Sequence, residues 1–153
     1  MENTKKIYLG SDHAGFNLKE KIKDFLERDG YHYEDTGPSE YAAGDDYPDY
    51  AVLVANHVSK EGGLGILICS SGVGMCIAAN KVKGIRAVNA YNVKIAQKSR
   101  EHNDTNILCL GQDYLDPDTA IEIVKTWVAT DASIEEKHRR RVEKISGSEN
   151  GYI

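Results

Sequence analysis

Three cysteines in 153 residues, with no Cys-x-x-Cys among them, leave no disulfide frame and no dithiol redox pair. That usage fits a reducing, cytoplasmic setting. No metal-ligand spacing joins the three. No apolar run approaches the roughly 18 residues of a membrane span, and Ile7-Tyr8-Leu9 is too short to be the core of a signal peptide. Without a secretory signal, the sequon Asn103-Asp104-Thr105 is accidental. Positive charge is not in excess: the formal net charge is −5, which excludes bulk attraction to nucleic acid or to an acidic membrane surface. Repeats, low-complexity segments and an internal domain boundary are also missing. Two phosphate-loop patterns are incomplete. Gly10 to Gly15 has the glycine spacing of a nucleotide triphosphate loop, but Phe16-Asn17 follow where lysine and then serine or threonine are needed. Gly72-Val73-Gly74 begins a dinucleotide fingerprint whose third glycine is Ile77.

What is present is 41% hydrophobic and 28% charged, the balance of a globular domain with a real core. Apolar strand-like runs alternate with helical periodicities along the chain. The runs are Ile7–Gly10, Tyr31–Asp35, Leu64–Cys69, Gly84–Val88 and Asn106–Gly111. Between and after them, Phe16–Leu26, Ala51–Val58, Asn92–Glu101 and Ala120–Val128 carry apolar residues at helical spacing, and Ser133–Lys144 is a charged final helix. This order predicts an α/β fold, a single-domain Rossmann-like three-layer sandwich with a five-stranded parallel sheet. The domain covers 1–145, and 146–153 is expected to be a flexible tail. Ligands of such sheets sit beyond the carboxyl ends of the strands. Asp12 and His13 follow strand one, Asp46 and Tyr47 follow strand two, and Cys69 to Gly74 follow strand three.

Chemistry concentrates in Gly63 to Asn80, where a strand, a small-residue turn and a helix start are written in sequence. Successive N–H groups of such a turn converge on one spot that suits an anion. Cys69 stands at the strand's exit, where positive N–H ends favour a thiolate; a buried strand cysteine would be written the same way. His13 and His102 each read equally as surface or capping histidines, and together they are expected near the edge that carries Cys69. Lys137 and Arg141 lie one helical turn apart in a basic run, a spacing suited to clamping a phosphate dianion and equally to a solvated face.

Taken together, Gly10-Ser11-Asp12-His13-Ala14-Gly15, Asp46-Tyr47-Pro48, Gly65 to Gly74, Ile77 to Lys81, Gly84 to Ala87, Ser99 to Asn106 and Arg141-Val142-Glu143 resemble the type B ribose-5-phosphate isomerases, a family shared with the galactose-6-phosphate isomerase subunits. The resemblance implies an aldose–ketose isomerase that works through an enediolate without metal or organic cofactor. It places the general base at Cys69. Members lacking that cysteine use a glutamate at the position of Met75, a residue that cannot act as a base. His102 is implied in ring opening. Ser71 is implied in moving the proton between sugar oxygens, and the N–H groups of Ser70, Ser71, Gly72, Val73 and Gly74 in facing the oxyanion. Asp12 and Asn103 would hold sugar hydroxyls, His13 and Arg141 the phosphate, with Tyr47 and Lys137 also lining the substrate. Family members often carry arginine where this chain has Asp113, and another family arginine is Lys137 here, a point charge without bidentate geometry. Homodimers or tetramers with sites built from two chains are implied. The expected reaction is ribose 5-phosphate to ribulose 5-phosphate. Hexose 6-phosphate isomerisation and a non-catalytic sugar-phosphate-binding module are the alternatives.

Overall fold

Six residues in a row without a polar side chain, Leu64–Cys69, form a strand buried along its whole length, and the molecule is layered around it. The computed structural model describes residues 5–151. Its strands are β1 (Ile7–Ser11), β2 (Tyr33–Asp35), β3 (Leu64–Cys69), β4 (Ala87–Asn89) and β5 (Ile107–Gly111), all parallel, in the order β2-β1-β3-β5-β4. The helices are α1 (Phe16–Arg28), α2 (Tyr47–Glu61), α3 (Val73–Ala79), α4 (Val93–Asn103), α5 (Pro117–Ala129) and α6 (Glu136–Ser148), with a 3-10 turn at His13–Gly15. The doubly wound sandwich and its five-stranded parallel sheet agree with the expectation from the alternating pattern. Among the described residues, no helix is long and apolar enough to cross a membrane.

Strand periodicity decides which layer each side chain enters. Leu64, Ile66 and Ile68 of β3 join the core under α1, α4 and α5, with Leu18, Ile22, Phe25, Ile123 and Trp127. Leu67 and Cys69 point to the other face and pack with Val54, Val58, Met75 and Ala79 of α2 and α3. Each fully buried large apolar side chain contributes on the order of 1.5–3 kcal/mol. Trp127 is completely buried, and its indole N–H still finds a partner, donating to Thr105 Oγ1 at 3.0 Å. Lys19 is also fully buried; its ammonium donates to both Asp35 carboxylate oxygens and to the Pro38 carbonyl, each at 2.7 Å.

Strand order reverses between β1 and β3, so the turns leaving these two strands lie side by side at their carboxyl ends. The Asp12 N–H donates to the Ile68 carbonyl at 3.3 Å across that seam. Gly15 presses against the same backbone, and a Cβ there would come within 2.3 Å of the Ile68 oxygen. Only glycine lets the first turn approach the third strand so closely.

Two of the element ends that differ from expectation bear on the site and the tail. α4 continues through Asn103, which puts His102 inside its last turn rather than after the helix. α6 runs to Ser148, so Ser146–Ser148 are helical instead of part of a loose tail. Glu149 is then held in place by the Gly84 N–H, which donates to its two carboxylate oxygens at 2.9 and 3.1 Å. Tyr152 and Ile153 of the expected tail lie outside the described residues.

Candidate active site

The turn after β3 is built from both sides. Gln112 donates its N–H to the Cys69 carbonyl at 2.9 Å, and Asp113 donates to the Ser70 carbonyl at 3.1 Å, so the exit of β5 braces the exit of β3. The Ser71 carbonyl accepts from the Tyr91 hydroxyl at 2.8 Å and from the Asn89 amide at 3.2 Å. Gly72 then takes φ 80°, in the left-handed region, and a Cβ on it would sit 2.5 Å from Asn89 Oδ1. Glycine is therefore required at this bend, and the bend turns the next N–H groups back toward the strand.

Within this turn Cys69 is 5% exposed, and its Sγ accepts the Gly72 N–H at 3.1 Å. Val73 donates its N–H to Ser71 Oγ at 3.2 Å. Two of the N–H groups expected to face an oxyanion thus serve the sulfur and the serine hydroxyl of the turn itself. Ser70 donates its hydroxyl to Asp113 Oδ2 at 2.6 Å, so Asp113 holds the turn. The Tyr47 ring, at the start of α2, lies directly over Gly74. Met75 is fully buried in the core, facing away from solvent.

The turn after β1 stands beside this one. Asp12 caps the 3-10 turn by accepting the Gly15 N–H at 3.1 Å. Asp12 is 6% exposed, and burial raises its pKa against the opposing pull of that bond. His13 donates its backbone N–H to Asp45 Oδ1 at 2.9 Å, and its Nδ1 meets the same oxygen at 2.8 Å. The Asp45 bond raises the His13 pKa above the ordinary imidazole value. Asp45 was not a candidate in the sequence, where only Asp46 of its loop belongs to a recognisable motif; Asp46 itself makes no side-chain cap at the start of α2. The sole signal was the acidic pair Asp45-Asp46 ahead of Tyr47-Pro48. Asp12, His13 and Asp45 are the one group of possible metal donors among the described residues, their donor atoms within 4.8 Å of one another. The two bonds from His13 to Asp45 already use these atoms as a hydrogen-bonded pair.

His102 is elsewhere. It ends α4 just before β5, and β5 runs parallel to β3 with Gly65 opposite Ile107 and Cys69 opposite Gly111. His102 therefore stands where the strands enter the sheet, and Cys69 where they leave it. About four residue steps of strand, roughly 13 Å, separate the two ends. The expectation that His102 shares the Cys69 edge is corrected by the parallel direction of these strands. At the entering end, His102 stacks on His138 of α6, with ring centroids 4.2 Å apart. A cleft of about 160 Å³ there is lined by His102, Asp104, Ser133, His138, Arg139 and Val142. Burial, and then the facing His102, push the His138 pKa down. Lys137 and Arg141 lie close enough to His138 to add to that effect, so these two cations stand on the same end of the sheet as the His102–His138 pair. Lys137 is paired with Glu135 at 2.9 Å. Asn103 is exposed, and its carbonyl accepts from Arg86 Nε at 3.0 Å. One chain thus gathers Asp12, His13, Tyr47, Cys69 and Ser70–Gly74 at one end of the sheet, and His102, Asn103, Lys137 and Arg141 at the other.

Comparison with known proteins gives the following. The profile of the Ribose/Galactose Isomerase family matches residues 7–145. The ribose-5-phosphate isomerase B of Mycolicibacterium paratuberculosis is 40% identical over 148 residues, covering 96% of this chain and 93% of its own. The structure of Clostridium thermocellum ribose-5-phosphate isomerase B superposes with a TM-score of 0.91 at 45% identity, covering 97% of this chain and 99% of that one. The Mycoplasma genitalium ribose-5-phosphate isomerase B, solved with bound ribulose-5-phosphate, gives a TM-score of 0.91 at 40% identity, covering 95% of this chain and 96% of that one.

Proposed function

Since the chain belongs to the ribose/galactose isomerase family and is a sugar-phosphate isomerase, we propose that it interconverts ribose 5-phosphate and ribulose 5-phosphate through an enediolate, with Cys69 as the general base. The observation that carries this reading is the Gly72 N–H donated to Cys69 Sγ at 3.1 Å in a turn braced from both neighbouring strands. A proton on carbon beside a carbonyl is removed by a base that is fixed in place, and an N–H on sulfur both fixes the thiolate and disperses its charge. The enediolate oxygen is stabilised by the remaining polar groups of the turn as its charge develops. Ser71, on the same turn, moves the proton between the two sugar oxygens. Asp12 holds a hydroxyl beside them, and Tyr47 closes the site over Gly74. That a related enzyme from Mycoplasma genitalium was solved with ribulose-5-phosphate supports the five-carbon substrate.

Ring opening and the phosphate clamp then need His102, Asn103, Lys137 and Arg141, which one chain holds at the far end of its sheet. The site is completed by a second copy of the chain, whose strand-entering end faces the Cys69 end of the first. Val73 and Ile77 on α3, 47% and 58% exposed beside the Cys69 turn, supply apolar surface for that contact. In a two-fold dimer each site takes Cys69 from one copy and His102 from the other.

The test has two parts. Turnover of ribose 5-phosphate is measured against allose 6-phosphate and galactose 6-phosphate; binding without turnover of any would instead make the protein a sugar-phosphate-binding module. Cys69→Ala and His102→Ala chains are then unfolded together and refolded. Random pairing makes half the dimers mixed, each with one intact site, so about a quarter of wild-type activity returns. Activity that stays at the level of the separate variants would place both residues in a site made by one chain.

A further inference from the structure

Asp45 is joined to His13 by two bonds although 32 residues separate them. Its Oδ1 accepts both the backbone N–H and the imidazole Nδ1 of His13, so the ring cannot rotate without breaking a bond to the oxygen that also anchors the main chain. The Asp45 side chain is 10% exposed and the His13 side chain 35%, which puts the carboxylate beneath the ring and the ring's far side toward solvent. An imidazole bonded at Nδ1 presents Nε2 as its remaining donor. We propose that Asp45 is a positioning residue for the substrate's phosphate group: it fixes His13 with Nε2 turned to the phosphate dianion. The proposal rests on the reading that this end of the sheet binds a sugar phosphate.

The surrounding groups agree. Asp45 is opposed by burial, but the His13 bonds and the Tyr50 hydroxyl outweigh it and hold its carboxyl below the usual range. Burial, followed by Asp45, pushes the Tyr50 phenol up, so Tyr50 stays neutral. His13 also feels the neighbouring Asp12 carboxyl, which adds to the Asp45 effect, and it meets the edge of the Tyr41 ring at 6.1 Å. The cations of the second copy's α6 would approach from the phosphate side. A sugar phosphate loses its second proton near pH 6. A raised His13 therefore remains an imidazolium after the phosphate has become a dianion, and the two opposite charges coexist across neutral pH. Removing the Asp45 charge returns His13 toward the ordinary value of about 6.5 and nearly closes that window.

Asp45→Asn keeps the accepting oxygen and the shape while removing the charge, and Asp45→Glu keeps the charge. In the full-length protein, nitrogen NMR titration of the imidazoles reads the His13 midpoint, and steady-state kinetics read kcat and KM for ribose 5-phosphate at about pH 6 and about pH 8. The expected result for Asp45→Asn is a lower His13 midpoint. Its KM should be raised about ten-fold near pH 8 and much less near pH 6, with kcat changed less than KM, and Asp45→Glu should recover part of both effects. An unchanged His13 midpoint, or a KM penalty equal at the two pH values, overturns the proposal. If wild type fails to turn over ribose 5-phosphate, the proposed function falls, and inorganic phosphate becomes the probe. It should then perturb the His13 Nε2 signal at lower concentration in wild type than in Asp45→Asn; equal response overturns the Asp45 role.

Discussion

The two ends of the sheet hold their polar groups by different means. Where the strands leave, the site is made of backbone: carbonyls braced by Gln112, Asp113 and Tyr91, N–H groups given to Cys69 Sγ and Ser71 Oγ, and a left-handed glycine that turns the chain. Where the strands enter, it is made of side chains on two helix surfaces: the stacked His102 and His138, and the cations of α6. Backbone held by sheet hydrogen bonds keeps its geometry before substrate arrives, whereas long cationic side chains on a helix gain theirs from a partner. The first end suits proton abstraction, which tolerates little misplacement. The second suits charge recognition and ring opening, which act on the outer part of the substrate.

The sharpest way to break this contrast is to remove the proposed base. Cys69→Ala should lower kcat by a factor on the order of 10² to 10⁴ while KM stays close to wild type, because the sulfur acts on the transition state rather than on affinity. Stopped-assay kinetics on ribose 5-phosphate read both constants. A variant that keeps wild-type kcat would leave the backbone-built end without its chemical role.

A smaller effect distinguishes the two ends by substrate form. His102→Ala should cut turnover of cyclic sugar phosphates by about 10²-fold and spare substrates that are already open-chain, since ring opening is the only step that needs a proton at the ring oxygen. Equal losses on both forms would move His102 from ring opening to the isomerisation itself.

How far these residues could be read beforehand follows from the same contrast. The sheet was legible because buried parallel strands and their helices leave separate periodicities, and β3 needed no partner to be recognised. The Cys69 turn was legible because all its parts lie within one short stretch. The location of His102 was not, although parallel strands imply it: a residue just before β5 stands at the end opposite to one just after β3. A place beside a strand does not by itself give the end of the sheet; the direction of the strand does. Asp45 was invisible for a related reason. Its role depends on His13, 32 residues away, and the contact exists only because the loop after β2 folds over the turn after β1. Asp113 could be seen as an acid in an unexpected place, but its bond to Ser70 could not, since that requires β5 to lie beside β3.

The smallest of the three effects sharpens the comparison through pH. If Arg141 clamps the phosphate as proposed, Arg141→Ala removes one charge-assisted bond and should raise KM on the order of ten-fold, with kcat little changed. A guanidinium remains protonated throughout the accessible range, so this penalty should follow only the phosphate's own ionisation near pH 6 and stay flat above it. The Asp45→Asn penalty behaves oppositely. His13 has a raised pKa in the native protein, so the charge it lends is complete below its unperturbed value, and in wild type it is lost only as pH climbs through the raised one. In the variant the loss comes earlier, and its KM rises fastest across neutral pH. KM profiles of the two variants between about pH 6 and about pH 8 should therefore diverge, flat for Arg141→Ala and rising for Asp45→Asn. Parallel profiles would mean that the helix-borne cation and the loop-borne imidazole are not complementary halves of one phosphate seat.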